Sequence, residues 1–187
     1  MRTIRTLALV PSLVLVACSG DPITVPRVAP EAPAATSLGA LGLSERPISG
    51  HCELKTLSTT PAPAPPVFRQ VAVGTCTLSH LGRSTVDFIQ IVNFGAHTQQ
   101  SQKLTYTAAN GDVLEASSVG TSTTTPTGVS FSSTITFIGG TGRFVNATGQ
   151  AHVDGTANPV AGTSRYTLNG AIAYVSDTGN RDRKSVV

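Results

Sequence analysis

The stretch IGGTGRFVNATGQAH, residues 138–152, carries the pattern that decides the fold. Its clustered glycines look at first like a phosphate-binding loop. A dinucleotide-binding loop needs a third glycine three residues after the second and then a helix, and a P-loop ends in Gly-Lys-Ser or Gly-Lys-Thr. Neither continuation is present, because the residues after Gly142 are Arg143 and Phe144. The glycines are therefore interpreted as parts of a sheet and indicate no nucleotide cofactor.

The residues after these glycines alternate between small apolar and polar side chains, which is the period of a half-buried strand. The alternation predicts a strand over residues 143–153. The first glycines predict a turn with positive φ, and the last predicts a bulge or a close approach inside a tight barrel. Whether the small apolar residues line a ligand cavity or fill the core stays open. The residues assigned to this turn and barrel motif are Gly139, Gly140, Gly142, Phe144 and Gly149.

The same period recurs along the chain without a convincing helical pattern. Turn residues separate eight candidate strands, and their short links favour an all-β, closed antiparallel eight-stranded up-and-down barrel, because closure removes exposed sheet edges. A two-sheet sandwich is the alternative. The predicted strands are residues 52–57, 67–79, 85–94, 102–108, 112–121, 128–138, 143–153 and 164–175.

A family resemblance points to the same architecture. Residues 138–151 resemble the signature GG[ST]G-x-F-x-x-A-x-G of the allene oxide cyclase and dirigent superfamily, whose members have an eight-stranded antiparallel barrel. HLGR at 80–83 and AANGD at 108–112 are similar to segments of secreted bacterial proteins that share this barrel. The resemblance spans most of the domain, and it rests mainly on turn glycines.

The resemblance also implies a shaped pocket. Cyclases of this superfamily steer the closure of an unstable fatty-acid epoxide, and dirigent proteins steer the coupling of phenoxy radicals. No motif places the pocket glutamate of the cyclases, or the acidic residues of the dirigent proteins, in this sequence. The sequence also lacks HExxH and GxSxG motifs, and its four histidines are scattered. Its abundant serines and threonines are interpreted as residues of exposed strand faces. We therefore name no catalytic residue.

Two cysteines of the domain, Cys52 and Cys76, are predicted to form a disulfide. The centre of a hairpin that pairs them is Ala64, within the strand-breaking PAPAPP segment, residues 61–66. A bridge over a loop of this length stabilises a fold by about 3 kcal/mol. The alternative is a zinc site with the nearby His51 and His80. That spacing is unusual for zinc, and adjacent strand residues point to opposite faces, so no metal site is predicted.

The N-terminus resembles a bacterial lipoprotein signal. Two arginines precede an apolar run of eleven residues, about 16 Å as a helix, which is too short to span a membrane. The run ends in LVAC, which is similar to a lipobox, so Cys18 is the predicted lipidation site. We expect a signal peptide at 1–17, a Pro/Ala-rich tether at 18–48, a barrel at 49–177 and a basic polar tail at 178–187.

Charge and targeting limit the partners. Removing two of the 13 basic residues with the signal leaves 11 against 10 acidic residues, a net charge near +1. The basic tail has no interleaved aromatic residues, so no nucleic-acid partner is predicted.

The acyl anchor predicts a lipid bilayer as partner and an extracytoplasmic location in the bacterial cell envelope. Ser19 after the cysteine favours the outer membrane. Secretion is the alternative.

Three polar residues at turns are candidates for a barrel mouth: His80, Asp112 and Arg143. The alternative is a purely structural role for each: a hydrogen-bonded turn histidine, a turn cap after an Asn-Gly type I′ signal, and a surface arginine.

The function hypothesis is an envelope-anchored barrel lipoprotein that binds a small apolar ligand or an envelope partner without catalysis. The alternative is an isomerase or cyclase of the superfamily type, which steers a reactive intermediate in the cavity.

The predicted strand at residues 85–94 is apolar on both faces, with Val86, Phe88 and Val92 on one face. Ile89 and Ile91 lie on the other face. An outward apolar stripe on a barrel is typical of a subunit contact. Because superfamily relatives are often trimers, we expect a homo-oligomer.

Overall fold

A computed structural model describes residues 43–175. Each strand pairs antiparallel with the next, and the last pairs with the first, so the sheet closes into a barrel. The predicted eight-stranded barrel is confirmed, and the sandwich alternative is not. The strands are β1 (Leu43–Pro61), β2 (Val67–Leu78), β3 (Gly82–Asn93), β4 (Thr98–Ala108), β5 (Val113–Thr125), β6 (Gly128–Gly140), β7 (Thr148–Asn158) and β8 (Thr163–Val175).

The first strand begins earlier than predicted. β1 starts at Leu43 and not at residue 52, so residues 43–48 of the expected tether are part of the first strand. Residues before Gly50 pair with β8 only, and β2 joins β1 from Gly50 onward. Pro47 therefore lies where one side of the strand has no ladder partner, a position that tolerates proline. The signal peptide, Cys18, the rest of the tether and the tail lie outside the described residues.

The two ends of the barrel differ. The plugged end carries the connections after β2, β4 and β6, and the hollow end carries the connections after β1, β3, β5 and β7. At the plugged end, Phe144 is fully buried, and its ring centroid lies 5.3 Å from that of Tyr174. Apolar side chains fill the interior around this ring, among them Ile48, Leu78, Leu81, Leu114, Phe137 and Ile172.

The glycine-rich motif forms the plug. The predicted strand at 143–153 begins only at Thr148, because Gly142–Phe144 form a short 3-10 helix. The local bonds Phe144 N to Thr141 O (3.0 Å) and Ala147 N to Phe144 O (2.9 Å) fold this segment over the barrel end. The alternation of apolar and polar residues continues through this turn, so the sequence pattern placed the start of the strand too early.

Two motif glycines behave as expected. Gly142 has a φ of +58°, and a Cβ there would collide with the Asp112 carboxylate. Gly149 has a φ of +134°, and a Cβ would collide with the Ala171 carbonyl oxygen of β8. The predicted positive-φ turn and the predicted close approach are both confirmed.

The small apolar residues after the plug do not line a cavity. Val145 is 47 % exposed, whereas Ala147 and Ala151 are buried in the core. Val153 is different, because its side chain reaches the hollow half. The question left open by the sequence is therefore answered for the two alanines, which fill the core.

The disulfide is confirmed. Cys52 on β1 and Cys76 on β2 face each other in register and form a bridge with a Cα–Cα distance of 4.1 Å. Both side chains point into the barrel, and His51 points to the outside. Because the two sulfurs are bonded to each other, the zinc alternative loses its thiolate ligands.

The AANGD turn differs from the expected type I′. Only Gly111 has a positive φ, +87°, whereas type I′ requires positive φ at both central residues. The Gly111 N–H donates to the Ala108 carbonyl at 2.9 Å, and Asp112 N donates to the Asn110 side chain at 3.2 Å. The turn is therefore one residue longer in its hydrogen-bonding pattern than Asn-Gly alone suggested.

Candidate functional site

A cavity of about 100 Å³ occupies the hollow half of the barrel. Its wall is built from inward-facing residues of all eight strands, and it reaches the loop residue Pro159 at the hollow end. Phe88 and Val92, which were predicted to share a face of their strand, both point into it. This cavity is the candidate site because the opposite half of the barrel is filled.

Side-chain volume explains why this half is hollow. β5 contributes Ser118 and Ser122 to the wall, and β6 contributes Ser133, all three buried. Serine side chains fill far less space than the leucine and phenylalanine at inward positions near the plug. A barrel of eight strands is just wide enough for large side chains to fill, so small ones leave an internal space.

The sequence interpretation placed the abundant serines on exposed strand faces, which is wrong for five of them. Ser84, Ser101, Ser118, Ser122 and Ser133 are buried. Parity along the strand was an available signal for Ser84, Ser118 and Ser133, because each of these three shares a face with an apolar side chain two residues away. The serines were assigned to the surface because serine is polar, and their positions along the strands were not considered. The cavity was therefore not predicted.

Neutral polar groups pair with one another across the cavity wall. Gln90 Nε2 donates to Gln70 Oε1 at 2.9 Å, and Gln99 Nε2 donates to Ser133 Oγ at 2.5 Å. Within residues 43–175, no charged side chain lines the cavity. A charged ligand would therefore lose its hydration without gaining a counter-ion, which is costly. The wall suits an uncharged molecule.

Aromatic rings supply much of the apolar surface. Phe88, Phe94 and Phe131 line the cavity from β3, the following loop and β6. The ring of Phe131 lies against Gly155 of β7, where a Cβ would collide with it. Gly155 thus makes room for the ring in the wall, and it was not singled out from the sequence.

A pair of tyrosines forms the floor. Tyr106 on β4 and Tyr166 on β8 come from opposite sides of the barrel, and their hydroxyl oxygens lie 3.0 Å apart. Tyr166 lines the cavity. Burial raises the pKa of Tyr106, and burial together with the neighbouring Tyr106 raises the pKa of Tyr166. Both phenols are therefore neutral at physiological pH and serve as hydrogen-bonding groups.

The three predicted mouth residues meet at the plugged end, not beside the cavity. Arg143 Nη2 donates to the His80 carbonyl oxygen at 2.7 Å, and Arg143 Nε lies 3.5 Å from Asp112 Oδ2. The guanidinium carbon lies 4.9 Å from the centroid of the Phe144 ring. His80 has a φ of +69°, and its Nε2 donates to the Pro47 carbonyl at 2.8 Å. These contacts tie three turns together over the plug.

A serine, a histidine and an aspartate also meet on the outer wall. His152 Nε2 lies 3.3 Å from Ser132 Oγ and 3.2 Å from Asp154 Oδ2. A hydrolytic triad needs the acid and the nucleophile on different imidazole nitrogens, whereas here both partners approach the same one. The histidine and aspartate side chains are also more than half exposed. This cluster is a surface contact.

Two absences hold for residues 43–175. No group of three or more His, Cys, Asp or Glu side chains there is arranged to hold a metal ion. That part of the chain also has no helix that is long and apolar enough to cross a membrane.

Comparison of the chain with protein-family models, with curated proteins and with solved structures gave no match in any of the three. The functional conclusion therefore rests on the cavity and on the residues that form it.

Proposed function

We propose that this protein is a lipid-anchored barrel of the bacterial cell envelope that binds a small, uncharged and mostly apolar ligand. The observation that carries the proposal is the cavity of about 100 Å³ in the hollow half, with aromatic walls and neutral polar groups. Ligand sites of this kind are concave and largely apolar, with a few placed polar groups. Catalysis is not part of this first proposal, because the cavity wall holds no carboxylate, histidine or lysine within residues 43–175.

The placement in the envelope rests on the sequence. The LVAC segment before Ser19 supports acylation of Cys18, and a dual-acyl anchor holds a protein stably on a bilayer. The Cys52–Cys76 disulfide is consistent with an oxidising compartment. We place the barrel outside the cytoplasm, with the outer membrane as the favoured site and secretion as the alternative.

Association of several copies is part of the proposal. Ile89 and Ile91 point outward and are half-buried, and Val71 of β2 lies opposite Ile89. This outward apolar stripe supports a homo-oligomer of barrels.

The second candidate is an isomerase or cyclase of the type found in the allene oxide cyclase and dirigent superfamily. One observation favours it: the barrel is not filled from end to end, so a reactive intermediate has a shaped space to enter. Such a protein would act by holding its substrate in one conformer. The resemblance of residues 138–151 to the superfamily signature supports it.

A pair of neighbouring substitutions tests ligand binding. Ser118 points into the cavity and Ser117 points out of the same strand. We expect solvent extracts of the purified envelope protein to contain a small molecule in stoichiometric amount. Ser118→Leu should remove it and Ser117→Leu should keep it. Co-purifying lipid would be the same in both variants. Equal amounts from the two variants, or no molecule from the wild type, would contradict the proposal.

A further inference from the structure

The tyrosine pair at the cavity floor holds more hydrogen-bond donors than it uses. Tyr106 and Tyr166 carry two hydroxyl protons, and their mutual bond of 3.0 Å consumes one of them. Whichever hydroxyl donates, the other keeps a proton. Among the residues that the structure describes, neither hydroxyl has another hydrogen-bonding side chain or backbone partner. A buried donor without an acceptor is costly, so the spare proton points to an acceptor that is not part of the protein.

Either hydroxyl can donate within the pair, and the two arrangements differ in which proton a ligand could reach. Tyr166 lines the cavity, whereas Tyr106 is fully buried and lies outside its wall. If Tyr106 donates to Tyr166, the Tyr166 proton is free on the side that a ligand can reach. The reverse arrangement would leave the spare proton on Tyr106, away from the cavity. The first arrangement is the one that an acceptor in the cavity would stabilise.

The surroundings define the acceptor. Phe88, Phe131 and Val153 line the same cavity as Tyr166, so the part of the ligand next to these side chains must be apolar. The absence of a charged side chain along the wall of the cavity, within residues 43–175, disfavours a carboxylate or phosphate. A carbonyl oxygen accepts a phenol hydrogen bond without carrying charge. The volume of about 100 Å³ is on the scale of cavities that bind a single ring such as benzene.

We propose that the Tyr166 hydroxyl anchors the ligand by donating a hydrogen bond to a carbonyl oxygen, and that the ligand is a compact neutral ketone or related carbonyl compound. This inference rests on the proposed binding function and specifies the chemistry of the ligand. Tyr106 is the positioning residue, because it donates to Tyr166 and so directs the Tyr166 proton toward the cavity. The raised pKa of each phenol keeps both groups protonated.

The test compares two probes of almost the same shape. Cyclohexanone carries a carbonyl oxygen, and methylenecyclohexane replaces that oxygen with a CH2 group. Both probes are titrated by NMR into the chain without its signal peptide. The chain carries Cys18→Ser to prevent acylation, and it is prepared by export so that the disulfide forms. The wild-type barrel should bind cyclohexanone about fivefold more tightly, as expected for one net hydrogen bond. Tyr166→Phe should abolish this preference. Tyr106→Phe should reduce it, because the Tyr166 hydroxyl then loses the donor that directs its proton toward the cavity.

The outcomes separate the two proposals. Equal affinity for both probes, or a preference that survives Tyr166→Phe, would overturn the donor inference and leave apolar binding intact. Failure of the wild type to bind either probe would overturn both. An infrared measurement needs no variant: the carbonyl stretch of bound cyclohexanone should shift to lower frequency than in an apolar solvent. An unshifted stretch would also overturn the inference.

Discussion

The plugged and hollow ends of the barrel are built from the same strands but carry different inward side chains. β5 presents Leu114 near the plug and Ser118 in the cavity, and β6 presents Phe137 near the plug and Ser133 in the cavity. The two strands pair with each other in both halves, with one register shift between Glu115 and Ala116. The comparison shows that the volume of the inward side chains, and not the pairing of the strands, determines which part of the barrel interior is filled.

The two halves also contribute differently to stability and to ligand binding. The plugged half buries Phe144 and its apolar neighbours, so hydrophobic burial there stabilises the closed sheet. The hollow half buries less and keeps room for a ligand. Stability and binding can then be changed separately by substitutions in different halves.

The largest expected effect is loss of the plug. Phe144→Ala removes a fully buried ring and leaves a cavity, so the free energy of unfolding should fall by about 3–5 kcal/mol. Val145→Ala is the control, because Val145 is 47 % exposed, and it should change the free energy by less than about 0.5 kcal/mol. Urea denaturation measures both. Similar values for the two variants would mean that the 3-10 segment does not plug the barrel.

Removing the disulfide should have the next largest effect. Cys52 lies in register with Tyr166, so the bridge is at the boundary between the two halves. Replacing both Cys52 and Cys76 by alanine should lower the free energy of unfolding by about 3 kcal/mol, because the unfolded chain regains the entropy of an open loop. The same denaturation experiment measures it. A loss below about 1 kcal/mol would show that the bridge adds little to the closed sheet.

Alkaline pH should lower the free energy of unfolding of the barrel because of the buried tyrosine pair. The pKa of Tyr106 and that of Tyr166 are raised by burial, so above about pH 10 the unfolded chain loses these protons while the folded chain keeps them. The unfolded state then binds fewer protons, and the free energy of unfolding falls by about 1.4 kcal/mol per pH unit for each tyrosine.

Denaturation between about pH 9 and about pH 11 checks this slope. Comparison with the double variant Tyr106→Phe/Tyr166→Phe isolates the pair from the other titrating groups. The variant should show a flatter decline over this range. Parallel declines would mean that the two phenols are not buried together in solution.

The smallest effect sharpens the comparison of the two halves. Ala151 is buried in the filled core, where a larger side chain would have to displace its neighbours. Ala151→Leu should therefore cost about 1–3 kcal/mol. Ser118→Leu extends into an existing cavity and should change the free energy of unfolding by less than about 1 kcal/mol. Equal costs would mean that the hollow half is as tightly packed as the plugged half.

Much of the fold was predictable from local patterns. The prolines between Cys52 and Cys76 gave the hairpin centre, and the structure pairs the two residues across β1 and β2. The period of two in the sequence also predicted a strand at residues 128–138, and the structure has β6 at Gly128–Gly140. Both signals are local in sequence, so neither required knowledge of distant contacts.

The site was harder to predict, because it depends on stagger between strands. That Ser118 and Ser133 face one space follows from the height at which each strand crosses the barrel, which no single strand encodes. His80, Asp112 and Arg143 were each expected at a barrel rim. Their meeting over the plug depends on three separate turns closing at one end.

The most direct test of the account is where a small apolar molecule binds. Amide chemical shifts of the mature Cys18→Ser chain can be mapped during titration with cyclohexanone. The account predicts that the largest changes lie on the inward residues of the hollow half, including Ser118, Phe131 and Ser133, with little change around Phe144. Saturable changes centred on the plugged end or the outer wall, or no saturable change at all, would contradict it.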